Sequence, residues 1–79
     1  MTDDLETVPL TDKERTELAE AYAAWMLGAQ NPLADLHPVS VHFSAVRDRI
    51  LFVHGFTIET GTITGSGSQL ILRARREPT

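Results

Sequence analysis

The hydrophobic positions of this chain change their spacing near the Asn31-Pro32 dipeptide. Before it, apolar residues recur at helical intervals: Leu18, Tyr22, Trp25, Met26 and Ala29. After it, residues 39–45 alternate apolar side chains with small or polar ones, which is the spacing of a β-strand. The change predicts an α+β fold, in which one N-terminal amphipathic helix packs on an antiparallel sheet of three to five strands.

The start and end of the predicted helix carry local signals. Thr11 followed by Glu14 is the capping-box pattern, in which each side chain satisfies a backbone N–H of the first turn. No glycine or proline occurs from Asp12 to Leu27, so intrinsic propensity agrees with the spacing. Gly28 is a candidate C-cap, and Asn31-Pro32 ends the helix.

The second half of the chain is predicted to form the sheet. Four strands and their turns follow from the alternation and from the glycines: a strand at 38–46, a charged turn at 47–49, a strand at 50–55 that continues toward 59, a turn at 60–61, a short strand at 62–64, a glycine-rich turn at 65–68 and a last strand at 69–76. Whether the sheet is open or curls into a small barrel is left open.

The expected core combines the helical stripe with one face of these strands. It consists of Leu18, Tyr22, Trp25, Met26, Val41, Phe43, Leu51, Val53, Ile58, Ile63, Leu70 and Leu72. The first hairpin is placed in the register that buries Leu51 and Val53, because a slip of one residue would turn both outward.

Length and composition narrow the class of protein. The 79 residues make one domain, predicted over residues 11–77 and preceded by a flexible acidic arm over residues 1–10. The chain has no cysteine, which excludes disulfides and thiolate zinc sites and leaves self-association as the usual way to stabilise so small a core. No apolar run spans a bilayer and the acidic N-terminus is not typical of an export signal, so we expect a cytoplasmic protein.

Charge is distributed unevenly along the chain. The net charge is −4; residues 1–20 carry −5, whereas residues 47–79 carry +2. The overall acidity argues against general affinity for a nucleic-acid backbone.

Four consecutive apolar residues, from Ile50 to Val53, do not fit a sheet with one wet face. In the chosen register Ile50, Phe52 and Val46 lie on the face away from the helix, bordered by Arg47 and Arg49. Such a patch indicates either a protein interface or a curled sheet that buries both faces, and the two remain alternatives.

Arg73 and Arg75 share one face of the last strand, and Arg76 follows. They are candidates for binding an acidic protein partner, which includes the acidic N-terminal helix of a second copy. Charged side chains of this kind also protect edge strands from pairing with other chains. Nucleic-acid binding through these arginines is the less favoured alternative, because no aromatic residues are interleaved with them.

The histidines are the only residues that resemble a set of metal ligands. In the preferred register His42 lies opposite His54, and His37 lies just upstream, but their spacing matches no standard zinc motif. No serine is placed with a base and an acid as a catalytic triad requires. We therefore expect no cofactor and no enzymatic activity, with a histidine-bound metal as a weak alternative.

The chain resembles the Sm-like RNA-binding barrels in its predicted order of a helix followed by bent strands. The resemblance includes Gly-Thr-Ile-Thr-Gly at 61–65 and Leu-Ile-Leu at 70–72. In that family an Asp and an Asn usually stand between these two elements and help to form the RNA pocket. Here the corresponding stretch, residues 66–69, reads Ser-Gly-Ser-Gln. The resemblance covers about the last third of the chain and transfers no binding residue to it.

Together these observations predict a small non-enzymatic module that binds another protein and self-associates as a homodimer. The predicted partner-binding residues are Val46, Arg47, Arg49, Ile50, Phe52, Arg73 and Arg75.

Overall fold

The computed structural model describes residues 5–33, 35 and 37–78. Two helices and three strands follow one another along these residues: β1 (Leu5–Thr7), α1 (Asp12–Ala29), α2 (His37–Val53), β2 (Thr62–Thr64) and β3 (Ile71–Arg75). Short 3₁₀ turns at Ile58–Thr60 and Gly67–Gln69 precede β2 and β3. The predicted α+β class, with helix on antiparallel sheet, is confirmed, although the number of helices differs from the prediction.

The sheet has the order β1-β3-β2, and both pairings are antiparallel. Leu72 and Ala74 of β3 are fully buried on the side of the helices. Side chains alternate along a strand, so the other side carries what we call the open sheet face: Leu5, Thr7, Thr62, Thr64, Ile71, Arg73 and Arg75. The described strands therefore form an open sheet rather than the barrel that the Sm-like resemblance implied.

α1 begins as its sequence predicts. The Thr11 hydroxyl accepts a hydrogen bond from the Glu14 backbone N–H, and the Thr11 backbone N–H donates to the Glu14 carboxylate, so both halves of the capping box are formed. The helix continues through Gly28 and ends at Ala29, with Gln30 as its C-cap.

The strands predicted at 38–46 and 50–55, and the turn between them, are wrong, because residues 37–53 form one continuous helix. Its end is fixed by Gly55, whose φ of 81° favours glycine. The Phe56 N–H donates to the Leu51 carbonyl and the Gly55 N–H to the Phe52 carbonyl, which together make a Schellman motif. The extension of the second strand toward residue 59 is also wrong, since residues 58–60 form a 3₁₀ turn.

The C-terminal strands were predicted nearly in place. β2 occupies the predicted 62–64, and β3 lies inside the predicted 69–76. Between them Gly65 adopts a φ of 75°, and a side chain there would collide with the Gln69 carbonyl oxygen. The glycine-rich turn therefore depends on glycine at this position.

The two helices run antiparallel on one side of the sheet. Glu14 near the start of α1 contacts His54 just beyond α2, whereas Tyr22 and Trp25 further along α1 contact Phe43 near the start of α2. The buried core consists of Val8, Leu18, Ala21, Phe43, Val46, Ile50, Leu51, Phe56, Leu70, Leu72 and Ala74.

Most of the predicted core is correct. Tyr22, Trp25 and Ile63 pack against the core while partly exposed. Four other residues expected there are exposed: Met26, Val41, Val53 and Ile58. Val41 and Val53 were placed by strand alternation, which does not apply to a helix.

The predicted flexible arm divides into two parts. Residues 1–4 lie outside the described residues. From Leu5 onward the chain is attached to the sheet instead, because β1 pairs with β3 and the Val8 N–H donates to the Leu72 carbonyl at 2.8 Å.

Neither of the two helices in the described residues combines the length and the apolar character needed to cross a membrane.

Candidate functional site

α2 is apolar on two opposite sides. Its inner side is buried through Phe43, Val46, Ile50 and Leu51. Residues at positions 41, 45, 48 and 52 are separated by four, three and four residues, so they share one stripe of the helix. We call this stripe, which consists of Val41, Ala45, Asp48 and Phe52, the outer face of α2.

The outer face is mainly apolar and accessible. The side chain of Phe52 is 76% exposed and that of Val41 is 53% exposed. Ala45 lies between them and is also exposed, and Val53, 67% exposed, lies beside the end of the stripe. These exposed apolar side chains are contiguous along the helix, and a contiguous apolar patch is a candidate interaction surface.

The charges around this face are paired within the chain. Asp48 accepts a hydrogen bond from Arg47 Nε at 3.2 Å, and the Arg47 guanidinium lies 5.5 Å from the centre of the Phe43 ring. Arg49 forms an ion pair with Glu17 of α1. Asp48 on the outer face and Arg49 at its border therefore each have an oppositely charged partner within the chain.

The predicted patch of Val46, Ile50 and Phe52 does not form one surface, because α2 places Phe52 on the side opposite to the other two. Val46 and Ile50 are 4% and 1% exposed, so they belong to the core and cannot bind a partner. Phe52 alone of the three is exposed, while Arg49 remains exposed at the border and Arg47 is half-buried.

Arg73 and Arg75 lie elsewhere. Both are on the open sheet face, on the side of the sheet away from the helices. Arg76, one residue further, lies on the helix side of the sheet. The exposed residues of the predicted site therefore lie on two separate surfaces, Arg49 and Phe52 on α2 and Arg73 and Arg75 on β3.

The proposed pairing of His42 with His54 is wrong. The two residues are twelve positions apart along α2 and its end, which corresponds to about 18 Å of helical rise. His54 instead contacts Glu14, and His37 is exposed at the first position of α2. Among the described residues, no three potential ligands come together as a metal site requires.

A shallow groove of about 420 Å³ lies between α1 and the 3₁₀ turn before β3. Its wall includes Asp12 and Arg15, which form an ion pair at 3.6 Å, together with Thr16, Ala19, Glu20, Gly67 and Ser68.

Sequence reasoning missed Val41 and Ala45 as surface residues because it assigned them to a strand. Two signals could have located them. Phe43, Val46 and Ile50 are spaced by three and four residues, and Gly55 is the glycine that closes a helix.

No protein-family model, no curated protein and no solved structure matches this chain.

Proposed function

We propose that this protein is a self-associating interaction module, in which the outer face of α2 packs against the same face of a second copy. The observation that carries the proposal is the exposure of Phe52, at 76%, on a helix whose opposite side is already buried in the core. Aromatic side chains contribute a large share of the binding energy of protein interfaces.

The outer face is complementary to itself when two copies of α2 run antiparallel. The stripe from Val41 to Phe52 is centred between Val46 and Arg47. A two-fold axis at that point, perpendicular to the helix, sets Phe52 of one copy beside Val41 of the other and Ala45 beside Asp48. Small Ala45 near the centre allows the two helices to approach closely, which supports a closed dimer.

The electrostatics support a second copy as the occupant. Two identical surfaces repel each other when they carry uncompensated charge of one sign. Here Asp48 on the outer face is paired with Arg47, and Arg49 at its border is paired with Glu17. An antiparallel pairing of two such faces therefore meets little repulsion.

Sedimentation velocity of the full chain over a wide concentration range tests the proposal. We expect the wild-type protein to shift from monomer to dimer as its concentration rises. Phe52→Glu should remain monomeric, because it places two carboxylates in the apolar contact. A wild-type protein that stays monomeric at the highest concentration would contradict the proposal.

Leu33→Glu is the matched control. Leu33 is 94% exposed but lies in the loop between the helices, away from the outer face. This variant should dimerise like the wild type. Circular dichroism should show both variants folded; if Phe52→Glu unfolded the domain, Phe52 would belong to the core and the proposed surface would not exist.

A further inference from the structure

The two edges of the sheet differ in what their backbone groups contact. The Val8 N–H donates to the Leu72 carbonyl at 2.8 Å, so the backbone groups of Leu72 point toward β1. The residues next to it in β3 therefore bond to β2, through the positions paired with them, Thr62 and Thr64. Because hydrogen-bonding positions alternate along a strand, the N–H and C=O of Ile63 point away from β3. We call this outer side of residues 61–65 the β2 edge.

The outer edge of β1 is protected. By the same alternation the Leu5 carbonyl points outward, and it accepts a hydrogen bond from Arg73 Nη2 at 3.1 Å. Glu6 carries a charge in the middle of β1, and Pro9, which has no N–H, follows the strand. Charged side chains and prolines are among the features that keep an edge strand from pairing with other chains.

The β2 edge has neither kind of protection. Its sequence, Gly-Thr-Ile-Thr-Gly, contains no charge and no proline. In the part of the chain that the structure describes, β2 pairs only with β3. The edge is short, because the 3₁₀ turn Ile58–Thr60 lies before it and the turn at Gly65 ends it. It therefore offers the N–H and C=O of Ile63 to one short extended segment.

We propose that the β2 edge binds an extended, uncharged segment of a partner protein, which joins the sheet as an antiparallel fourth strand. The segment residue opposite Ile63 exchanges both main-chain hydrogen bonds with it. Its side chain lies on the helix side of the sheet beside half-buried Ile63, so an apolar residue fits there. The residues before and after it lie beside Thr62 and Thr64 on the open sheet face, where threonine makes favourable cross-strand pairs.

A second copy of the chain fits the β2 edge less well than a partner strand. Residues 61–65 read the same in both directions, so two copies have matching sequences when paired antiparallel. Such a pairing sets Gly61 of one copy opposite Gly65 of the other at both ends, and glycine offers no side chain to pack. A partner strand with side chains opposite both glycines buries more surface.

Amide hydrogen exchange of the full chain, followed by NMR, tests the proposal residue by residue. The probe is the capped peptide Val-Thr-Val-Thr-Val. Without it, the Ile63 amide should exchange faster than those of Thr62 and Thr64, which bond to β3. The peptide should slow exchange at Ile63 about tenfold when its concentration is about ten times its dissociation constant.

Thr7 is the matched control, because its N–H also points outward, from the protected edge of β1. Its exchange rate should stay within about twofold when the peptide is added, since we expect no pairing there. An unchanged rate at Ile63, or equal slowing at Thr7, would overturn the proposal.

A second peptide separates backbone pairing from side-chain contact. In it the three valines are N-methylated, which removes the donors that face the β2 edge and keeps the order of side chains. It should bind at least about tenfold more weakly, as expected for the loss of one hydrogen bond. Equal affinity of the two peptides would contradict strand addition.

Variants locate the binding edge. Ile63→Pro removes the outward donor and should abolish peptide binding in an NMR shift titration. Ile63→Val keeps that donor, and Thr7→Pro removes the outward donor of the other edge, so both should bind within about threefold of the wild type. Wild-type affinity of a folded Ile63→Pro would overturn the assignment. If circular dichroism shows Ile63→Pro unfolded, the exchange rates and the N-methylated peptide decide.

The experiment also separates this inference from the proposed dimer. Phe52→Glu should bind the peptide as tightly as the wild type, because the outer face of α2 and the β2 edge are different surfaces. Folded Ile63→Pro should keep the sedimentation behaviour of the wild type. Loss of the dimer in that variant, without peptide binding by the wild type, would mean that the β2 edge joins two copies and would overturn the proposal.

Discussion

His54 and Glu14 join the end of α2 to the first turn of α1. His54 Nε2 lies 2.9 Å from Oε1 and 3.2 Å from Oε2 of the Glu14 carboxylate. The same carboxylate accepts the Thr11 backbone N–H in the capping box. Partial burial acts to raise the pKa of Glu14, but the hydrogen bonds from Thr11 and His54, with the charge of the imidazolium, outweigh it and hold that pKa below its ordinary value of 4.5.

This lowered pKa predicts how stability depends on pH. The folded state holds the Glu14 carboxylate more favourably than the unfolded state, so its contribution is complete above the ordinary value of 4.5 and is lost as pH falls through the lowered pKa. Chemical denaturation of the wild type and of Glu14→Gln should differ by about 1 kcal/mol at neutral pH. The difference should shrink toward zero in acid; a constant difference would contradict this account.

A double-mutant cycle with His54→Gln measures the contact itself. The two single variants and the double variant should show a coupling of about 0.5–1 kcal/mol. Strictly additive effects would mean that His54 and Glu14 do not interact in solution.

The capping box predicts the effect of removing the Thr11 hydroxyl. Thr11→Ala leaves the Glu14 backbone N–H without its side-chain acceptor and should lower the free energy of unfolding by about 1 kcal/mol. Lys13→Ala, an exposed change in the same turn, should alter it by less than about 0.5 kcal/mol. Equal effects of the two substitutions in thermal denaturation would argue against the cap.

Three aromatic rings hold α1 and α2 together near the other end. The Trp25 ring stacks with Phe43 at 5.8 Å and with Tyr22 at 6.2 Å between ring centres. Trp25→Ala should therefore lower the free energy of unfolding by about 2–3 kcal/mol, somewhat less than for a fully buried ring. Leu27, 69% exposed, is the control, and Leu27→Ala should cost less than about 0.5 kcal/mol. If Trp25→Ala also costs less than about 0.5 kcal/mol, the ring lies outside the core.

Local signals were enough to predict α1 and the last two strands. Thr11 and Glu14 mark the start of α1, and Leu18, Tyr22 and Trp25 mark its inner side. The turn at Gly65 separates β2 from β3. These elements could be predicted because the local conformational preferences of their residues agree with the fold.

The prediction failed over residues 37–53 because two periodicities overlap there. Val39, Val41 and Phe43 alternate with polar residues and are good strand formers. Phe43, Val46 and Ile50 fit the helical period. The segment folds as a helix because this second set is then buried against α1 and the sheet. Because the segment is apolar on both sides, the sequence alone did not distinguish the inner from the outer face.

The candidate surface was predicted in part. The consecutive apolar residues from Ile50 to Val53 led to Phe52, which is exposed, but the wrong period added Val46 and Ile50 to it. Arg73 and Arg75 were placed on one face correctly, because β3 is a strand. The structure was needed to identify the helical residues that share the outer face with Phe52.

The absence of cysteine allows the central claim to be tested with a single introduced thiol. In the antiparallel pairing proposed for α2, the two Ala45 positions of a dimer are offset by about 4.5 Å along the helix axis. With the helix axes about 8 Å apart, their Cα atoms are then about 5.6 Å apart, which is within the range that a disulfide can join. The measurement is the rate of disulfide-linked dimer formation by Ala45→Cys under mild oxidation, compared with Leu33→Cys. The account predicts much faster cross-linking of Ala45→Cys, abolished by adding Phe52→Glu; equal rates for Ala45→Cys and Leu33→Cys would contradict it.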